Sequence, residues 1–331
     1  MFARRLLFTT GLATLAAAAC AWHRPAPAVA TTAMDDHLMG MTAASMAAPQ
    51  IVPRAETQGT AGLPPSANTA AARLAASPRH AEWVKISWGP GATDSLMAWI
   101  VYPVTSRPHT PVVVVVHEIF GLSTWVRGVA DQVAADGFIA IAPDLVSRAR
   151  GGPSTDELPS DSAVKLIRGV TAAERNLGVA AAARYAMSQP SAAQRYGVIG
   201  FCWGGSTTWM HAINQGVTGF SGAVPFYGLP YLNGAVPDAD SLAKIRVPVM
   251  LLNGAKDARI GAAMPALDSM MRALHKDYVG TNYENAIHGF ARAQDDPRTP
   301  RDSVVEAGNL AALKDAWPRT TAFLKKHLGL D

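Results

Sequence analysis

The run Val198-Ile199-Gly200-Phe201-Cys202-Trp203-Gly204-Gly205-Ser206 constrains this chain more than any other stretch. A hydrophobic strand candidate passes through Gly200-x-Cys202-x-Gly204 into small residues, the layout of a nucleophile elbow with sulfur in place of the usual serine oxygen. On such a strand-to-helix turn the nucleophile sits in strained backbone geometry, and side chains two residues to either side would collide with neighbouring backbone. Gly200 and Gly204 remove them. The turn aims Cys202 out of the sheet and presents the Trp203 N–H to a developing oxyanion. It also sets the sulfur at a helix N-terminus, which favours thiolate over thiol. Acyl transfer is the chemistry implied. The pentapeptide alone also fits a glycine-rich turn around an inert buried cysteine, so the partners of Cys202 must decide.

With 331 residues and 49% hydrophobic content, the chain can bury one substantial core, and one catalytic domain behind an N-terminal appendage is expected. Residues 1–30 read as an export signal: Arg4 and Arg5, an apolar or small run from Leu6 to Ala21, and a small-x-small site at Ala28-Val29-Ala30 before Thr31. The arginine pair followed by Leu6-Leu7 points to the twin-arginine route, although two arginines also make an ordinary positive n-region. The apolar run is shorter than the roughly 20 residues of a spanning helix. Lipidation at Cys20 is disfavoured by Ala17, where a lipoprotein signal usually carries leucine. The expected location is the periplasm, with no stable membrane insertion after cleavage.

Cleavage after Ala30 removes three arginines and no acid, leaving 26 basic against 25 acidic residues. Nothing then argues for a nucleic-acid partner. It also removes Cys20, so Cys202 becomes the only thiol and no intramolecular disulfide can form. A lone cysteine in an oxidising compartment risks oxidation, which favours function over filler.

Residues 31–78 are rich in Ala, Thr, Pro, Met and Gln without apolar periodicity and read as a low-complexity linker. From Arg79 alternation begins. Trp83 to Trp88 and Leu96 to Tyr102 read as an antiparallel hairpin around Gly89-Pro90-Gly91. Val112 to Val116 is a β-branched run suited to a central strand buried on both faces. Further strands are expected over 138–142, 196–201, 220–226, 247–252 and 278–284, and helices over 124–135, 162–187, 207–214, 264–275 and 310–327. Strands alternating with helices imply an α/β fold, a mostly parallel central sheet with helices on both faces and the site at the strand C-termini.

A thiol nucleophile needs a base, and the base an orienting group. His211 falls in the elbow helix and His275 and His327 near helix ends, whereas His288 lies in a loop after a strand, at the same sheet edge as the elbow. Asp257 emerges where the strand ending at Leu252 runs out; Asp238, Asp240 and Asp268 lie in a loop or helix and read as solvated. The order Cys202, Asp257, His288 is the nucleophile, acid, histidine order of an elbow fold. Glu118 directly follows the buried strand and His117, so it projects into the site region; a buried carboxylate needs a partner, and the Cys202 thiol could be that partner, with Glu118 an accessory base. The Ile119 N–H on the same turn is a second oxyanion donor. Trp125, Phe226, Tyr227 and Phe290 are candidates for pocket walls or for core.

From about Trp83 to Leu328 the chain resembles the dienelactone hydrolase family of the α/β-hydrolase superfamily. The motifs are His117-Glu118-Ile119-Phe120-Gly121, Ala142-Pro143-Asp144-Leu145, Gly200-Phe201-Cys202-Trp203-Gly204-Gly205 and His288-Gly289-Phe290. The resemblance implies an α/β-hydrolase fold over 79–331, Cys202 as nucleophile, His288 as base, Asp257 as orienter, and Glu118 as the group that helps generate the thiolate when substrate arrives. It also implies an oxyanion hole from Ile119 and Trp203. Family members acting on anionic lactones clamp the substrate carboxylate with two arginines and a tyrosine. Arg292 matches one arginine; Ser160 and Val164 stand where the other two would fall, with Arg148, Arg150 or Arg168 as substitutes from elsewhere.

The expected reaction is hydrolysis of an ester or lactone through a cysteinyl acyl-enzyme in a monomer that binds a small-molecule substrate. It requires no metal and no organic cofactor. The alternatives are a broad-specificity exported carboxylesterase and, from another class, a thiol-based redox sensor using Cys202.

Overall fold

The computed structural model describes residues 53, 60–89, 93–105, 107–154, 160–230, 238–294 and 303–330. The expected export signal lies outside these residues, as does most of the expected linker. Among the described residues eight strands are seen: β1 (Ala81–Ser87), β2 (Ser95–Val101), β3 (Thr110–Val116), β4 (Ile139–Asp144), β5 (Ala192–Phe201), β6 (Phe220–Phe226), β7 (Val249–Gly254) and β8 (Tyr278–Tyr283). They form one sheet in the order β1-β2-β4-β3-β5-β6-β7-β8. The β1/β2 and β2/β4 pairs are antiparallel and every other pair is parallel.

β3 is buried along its whole length because helices cover both faces of the sheet there, as an uninterrupted valine run requires. Helices α2 (Thr124–Ala135) and α9 (Ser303–Leu328) share one face, where the Trp317 indole donates to Asp136 Oδ2 (2.9 Å). Helices α5 (Ala172–Met187) and α6 (Trp203–Ile213) pack together on the other. This is the α/β-hydrolase fold. Among the described residues, no helix is long and apolar enough to cross a membrane.

Two expectations differ from the structure. The helix expected over 162–187 is two helices, α4 (Ser160–Arg168) and α5. The stretch is Ala-rich with helical spacing, yet Thr171 and Glu174 form a capping box: the Glu174 N–H donates to Thr171 Oγ1 (3.2 Å) and the Thr171 N–H to Glu174 Oε2 (2.9 Å). That reciprocal pair starts a new helix regardless of what precedes it.

The second difference lies in the expected linker. Residues 63–70 are buried, followed by helix α1 (Ala70–Ala75). The Trp125 indole donates to the Pro65 carbonyl (2.9 Å), Gln294 Nε2 to the Pro64 carbonyl (3.1 Å), and the Ala67 N–H to the Arg292 carbonyl (3.1 Å). Downstream, Arg79 pairs with the buried Asp131 (2.6 Å). Irregular Pro- and Ala-rich sequence is ordered here by hydrogen bonds to its backbone carbonyls from the domain, which carry no periodicity to read.

Trp125→Phe keeps an aromatic ring but leaves the Pro65 carbonyl without its donor. It should destabilise the protein by about 1–3 kcal/mol, read as a lower urea midpoint at unchanged slope.

Candidate active site

The site is assembled where β3, β5, β6 and β7 end. Cys202 follows β5 and caps α6 with φ 57° and ψ −117°, a conformation costly for a non-glycine residue. Its N–H donates to the Phe226 carbonyl at the end of β6 (3.1 Å). A Cβ at Gly200 would run into Gly204 O and Thr208 Oγ1, and one at Gly204 into the carbonyl oxygens of Val116 and His117. Gly204 is thus required by backbone contact with the end of β3, and Gly200 by close contact with Gly204 and Thr208 in the elbow helix. Ile119, just beyond that end, and Trp203, the first residue of α6, are both buried.

β7 leads into Asp257, the N-cap of α8 (Ala258–Ala273), whose Oδ1 accepts the Ile260 N–H (3.2 Å). Its Oδ2 accepts Nδ1–H of His288 at 2.6 Å, from the loop after β8. With Nδ1 occupied, Nε2 is left for Cys202. Burial alone favours the neutral ring. The charge of the Cys202 sulfur, the hydrogen bond to Asp257 and that to Cys202 overcome it and push the His288 pKa up to about 10. When the sulfur is a thiolate, His288 is an imidazolium at neutral pH.

Glu118 and Arg292 form an ion pair at 2.8 Å, both largely buried, and the guanidinium lies over the Phe120 ring at 5.4 Å. The accessory base and the anion-binding arginine expected from the sequence are therefore engaged with each other. Arg148 is held by Asp94 (3.0 Å) and Glu174 (2.8 Å), and Arg150 donates to the Pro153 carbonyl (2.6 Å), so two of the three substitutes for the second arginine have other partners. Arg259, on the first turn of α8, is a further cation whose charge interacts with Cys202; burial lowers its pKa and Cys202 raises it.

Two contributors escaped the sequence reading. His117 donates from Nδ1 to the Glu118 carbonyl (2.6 Å) and accepts the Leu145 N–H at Nε2 (3.1 Å), and burial keeps it neutral against the charge of Asp144. It thereby fixes the turn carrying Glu118 and Ile119. Its ring stacks on Trp203 (5.4 Å), over which the Arg175 guanidinium also lies (5.2 Å). Residues 63–70 brace the Arg292 loop from outside. Tyr227, a candidate wall, has its ring 5.0 Å from that of His288; its place directly after a strand was the available signal. Trp125, by contrast, packs on Phe201 at 5.0 Å as core. His211 is also structural, donating to Asn176 Oδ1 (2.8 Å) and paired with Tyr196 Oη (2.8 Å), its pKa lowered to about 3 by burial and then by Arg184.

An elbow cysteine facing a histidine held by an acid, at the C-terminal edge of a mostly parallel sheet, defines an α/β-hydrolase. The dienelactone hydrolase family model matches residues 96–328. The chain belongs to that family and is a carboxylic ester hydrolase. It is 27% identical over 282 residues to a Salmonella typhimurium protein named "Putative carboxymethylenebutenolidase", covering 82% of this chain and 98% of that one. It is 28% identical over 200 residues to carboxymethylenebutenolidase of Pseudomonas putida, covering 56% and 78%. The crystal structure described as "Putative Dienelactone Hydrolase" from Klebsiella pneumoniae superposes with a TM-score of 0.58 at 26% identity, over 76% of this chain and all of that one.

Removing the sulfur tests the electrostatics. In Cys202→Ala burial is opposed by Asp257 alone, so an NMR titration of the His288 ring should give a pKa well below the wild-type value of about 10. An unchanged value would mean that the sulfur does not act on the ring.

Proposed function

We propose that the protein opens small activated esters or strained lactones through a cysteinyl acyl-enzyme, with Cys202 as nucleophile, His288 as proton carrier and Asp257 as its orienter. The observation that carries this reading is His288, bonded to Asp257 at 2.6 Å through one nitrogen and coupled to the elbow sulfur through the other. The thiolate attacks the carbonyl carbon while the N–H groups of Ile119 and Trp203 take the oxyanion. Collapse expels the alkoxide, which receives the Nε2 proton of His288. Water, deprotonated by the same nitrogen, then attacks the thioester; the thiolate leaves and the carboxylic acid is released. A thiolate is a better leaving group than an alkoxide, which suits esters and lactones.

The ion pair between Glu118 and Arg292 couples substrate charge to this chemistry. An anionic group that takes the Arg292 guanidinium must displace Glu118, leaving a carboxylate beside the thiol, where it can accept the sulfur's proton. A neutral ester leaves the pair intact. The names of the relatives support a lactone substrate, and Arg292 supports an anionic one. A redox-sensing role is disfavoured because Cys202 is only 2% exposed, whereas sensor thiols are solvent-accessible.

The test is hydrolysis of a dienelactone beside a neutral short-chain aryl ester by protein beginning at Thr31. Cys202→Ala should lose on the order of 10⁴-fold or more in kcat, and Asp257→Asn about 10²–10⁴-fold. A slow ester should leave an acyl group on Cys202, visible by mass spectrometry of the intact protein; turnover unchanged in Cys202→Ala would refute the mechanism. The positive n-region, apolar run and small-x-small site further support export. A periplasmic fraction containing protein that starts at Thr31 is the expected result.

A further inference from the structure

The two members of the Glu118 and Arg292 ion pair sit on segments that a single stretch of chain ties together. Residues 63–69 connect α2, which follows the turn bearing Glu118, to the loop that carries Arg292. On the α2 side the Trp125 indole donates to the Pro65 carbonyl (2.9 Å), and Gly128 leaves the room that Pro65 takes, since a Cβ there would meet Pro65 Cγ at 2.7 Å. Arg73, in α1, donates to the Leu63 carbonyl (3.1 Å) and to Gln132 Oε1 of α2 (2.8 Å), a second fastening to the same helix. The Ser66 N–H donates to Thr69 Oγ1 (3.0 Å) and the Thr69 N–H to Ser66 Oγ (3.3 Å), a reciprocal pair that sets the turn into α1.

On the loop side, the carbonyls of Ala291, Arg292 and Ala293 each need a donor. The Ala67 N–H supplies the Arg292 carbonyl (3.1 Å), Asn309 Nδ2 the Ala293 carbonyl (3.2 Å) and Gln294 Nε2 the Ala291 carbonyl (2.9 Å). Gln294 Nε2 also donates to the Pro64 carbonyl (3.1 Å), so one buried amide joins the loop to the strap. The loop's own turn, in which the Gly289 carbonyl accepts the Arg292 and Ala293 N–H groups (2.9 and 3.0 Å), sets its curvature. A local turn cannot set the distance to Glu118, 174 positions earlier. The strap can, because it holds the backbone of Arg292 at one end and α2 at the other.

We propose that residues 63–69 are a positioning element of the active site: by fixing the Arg292 loop against α2 they keep Glu118 and Arg292 paired, and so hold the Cys202 thiol protonated until a substrate takes the guanidinium. Gln294 is the positioning residue on the loop. The proposal rests on the hydrolase reading above, in which a released Glu118 accepts the thiol proton. When the strap is loosened the pair parts without substrate, the Glu118 carboxylate takes the proton from Cys202 Sγ, and a thiolate remains.

Gln294→Met keeps the side-chain length and loses both amide bonds. Ala67→Pro removes the N–H that the Arg292 carbonyl accepts, at the second position of the Ser66–Thr69 turn, where proline is favoured. Trp125→Phe frees the strap at its other end. The reporter is alkylation of Cys202 by uncharged iodoacetamide near neutral pH, without substrate, in protein beginning at Thr31; the thiolate attacks the methylene carbon, an S–C bond forms and iodide leaves. Each variant should raise the alkylation rate roughly 3- to 10-fold, the factor one hydrogen bond is worth, and in a Glu118→Gln background the same changes should raise it not at all. A rise that survives Glu118→Gln would mean that the strap governs access to the buried sulfur rather than its proton. Wild-type rates in variants of lowered melting temperature would make the strap a stabilising brace alone. Either result overturns the inference. Undiminished ester turnover in Cys202→Ala would instead sink the hydrolase reading, and the alkylation rates would still decide whether the strap controls the thiol.

Discussion

The site depends on one backbone contact. The elbow lies against the end of β3 so closely that Gly204 has no room for a side chain beside the carbonyls of Val116 and His117, and Gly200 none beside Gly204. That contact keeps Cys202 at φ 57° and brings the first N–H groups of α6 next to the turn carrying Glu118 and Ile119. Strain of this kind persists only where the surroundings over-determine it. Here they include the fully buried strands β3, β4 and β7, and the Cys202 N–H bonded to the neighbouring strand end.

Around the elbow, charges are arranged in two couples with a shared border. Cys202 and His288 form one, made polar by Asp257; Glu118 and Arg292 form the other. Low-dielectric surroundings make each couple strong and each uncompensated charge expensive, so in the proposed mechanism an arriving anion exchanges partners with them. Arg259 adds positive charge from the first turn of α8. His117 takes no part in this exchange, since burial keeps it neutral, but without it the turn between β3 and α2 would have no anchor to Leu145.

Much of this was legible in the order of residues. The valine run Val112–Val116 marked the central strand because only a strand buried on both faces tolerates it, and Cys202, Asp257 and His288 stood out because each comes just after a strand, at the same sheet edge. What was not legible has a common character. The capping box that splits α4 from α5 is a two-residue hydrogen-bond preference overriding a longer alanine pattern. The docking of residues 63–70 rests on carbonyls of Pro64 and Pro65, which any residue could supply. The pairing of Glu118 with Arg292 joins residues 174 positions apart whose separate roles were each plausible.

By itself, then, the sequence determined the alternation of strands and helices, the strained turn with sulfur at its apex, and the positions of Asp257 and His288 after it. Local sterics and hydrophobic period set these, and both are written in short windows. Only the tertiary structure decided which charged group faces which and that an irregular N-terminal segment braces the Arg292 loop. Those outcomes depend on distances between segments far apart in the chain, and electrostatic and hydrogen-bond energies follow distance and burial, which no local pattern encodes.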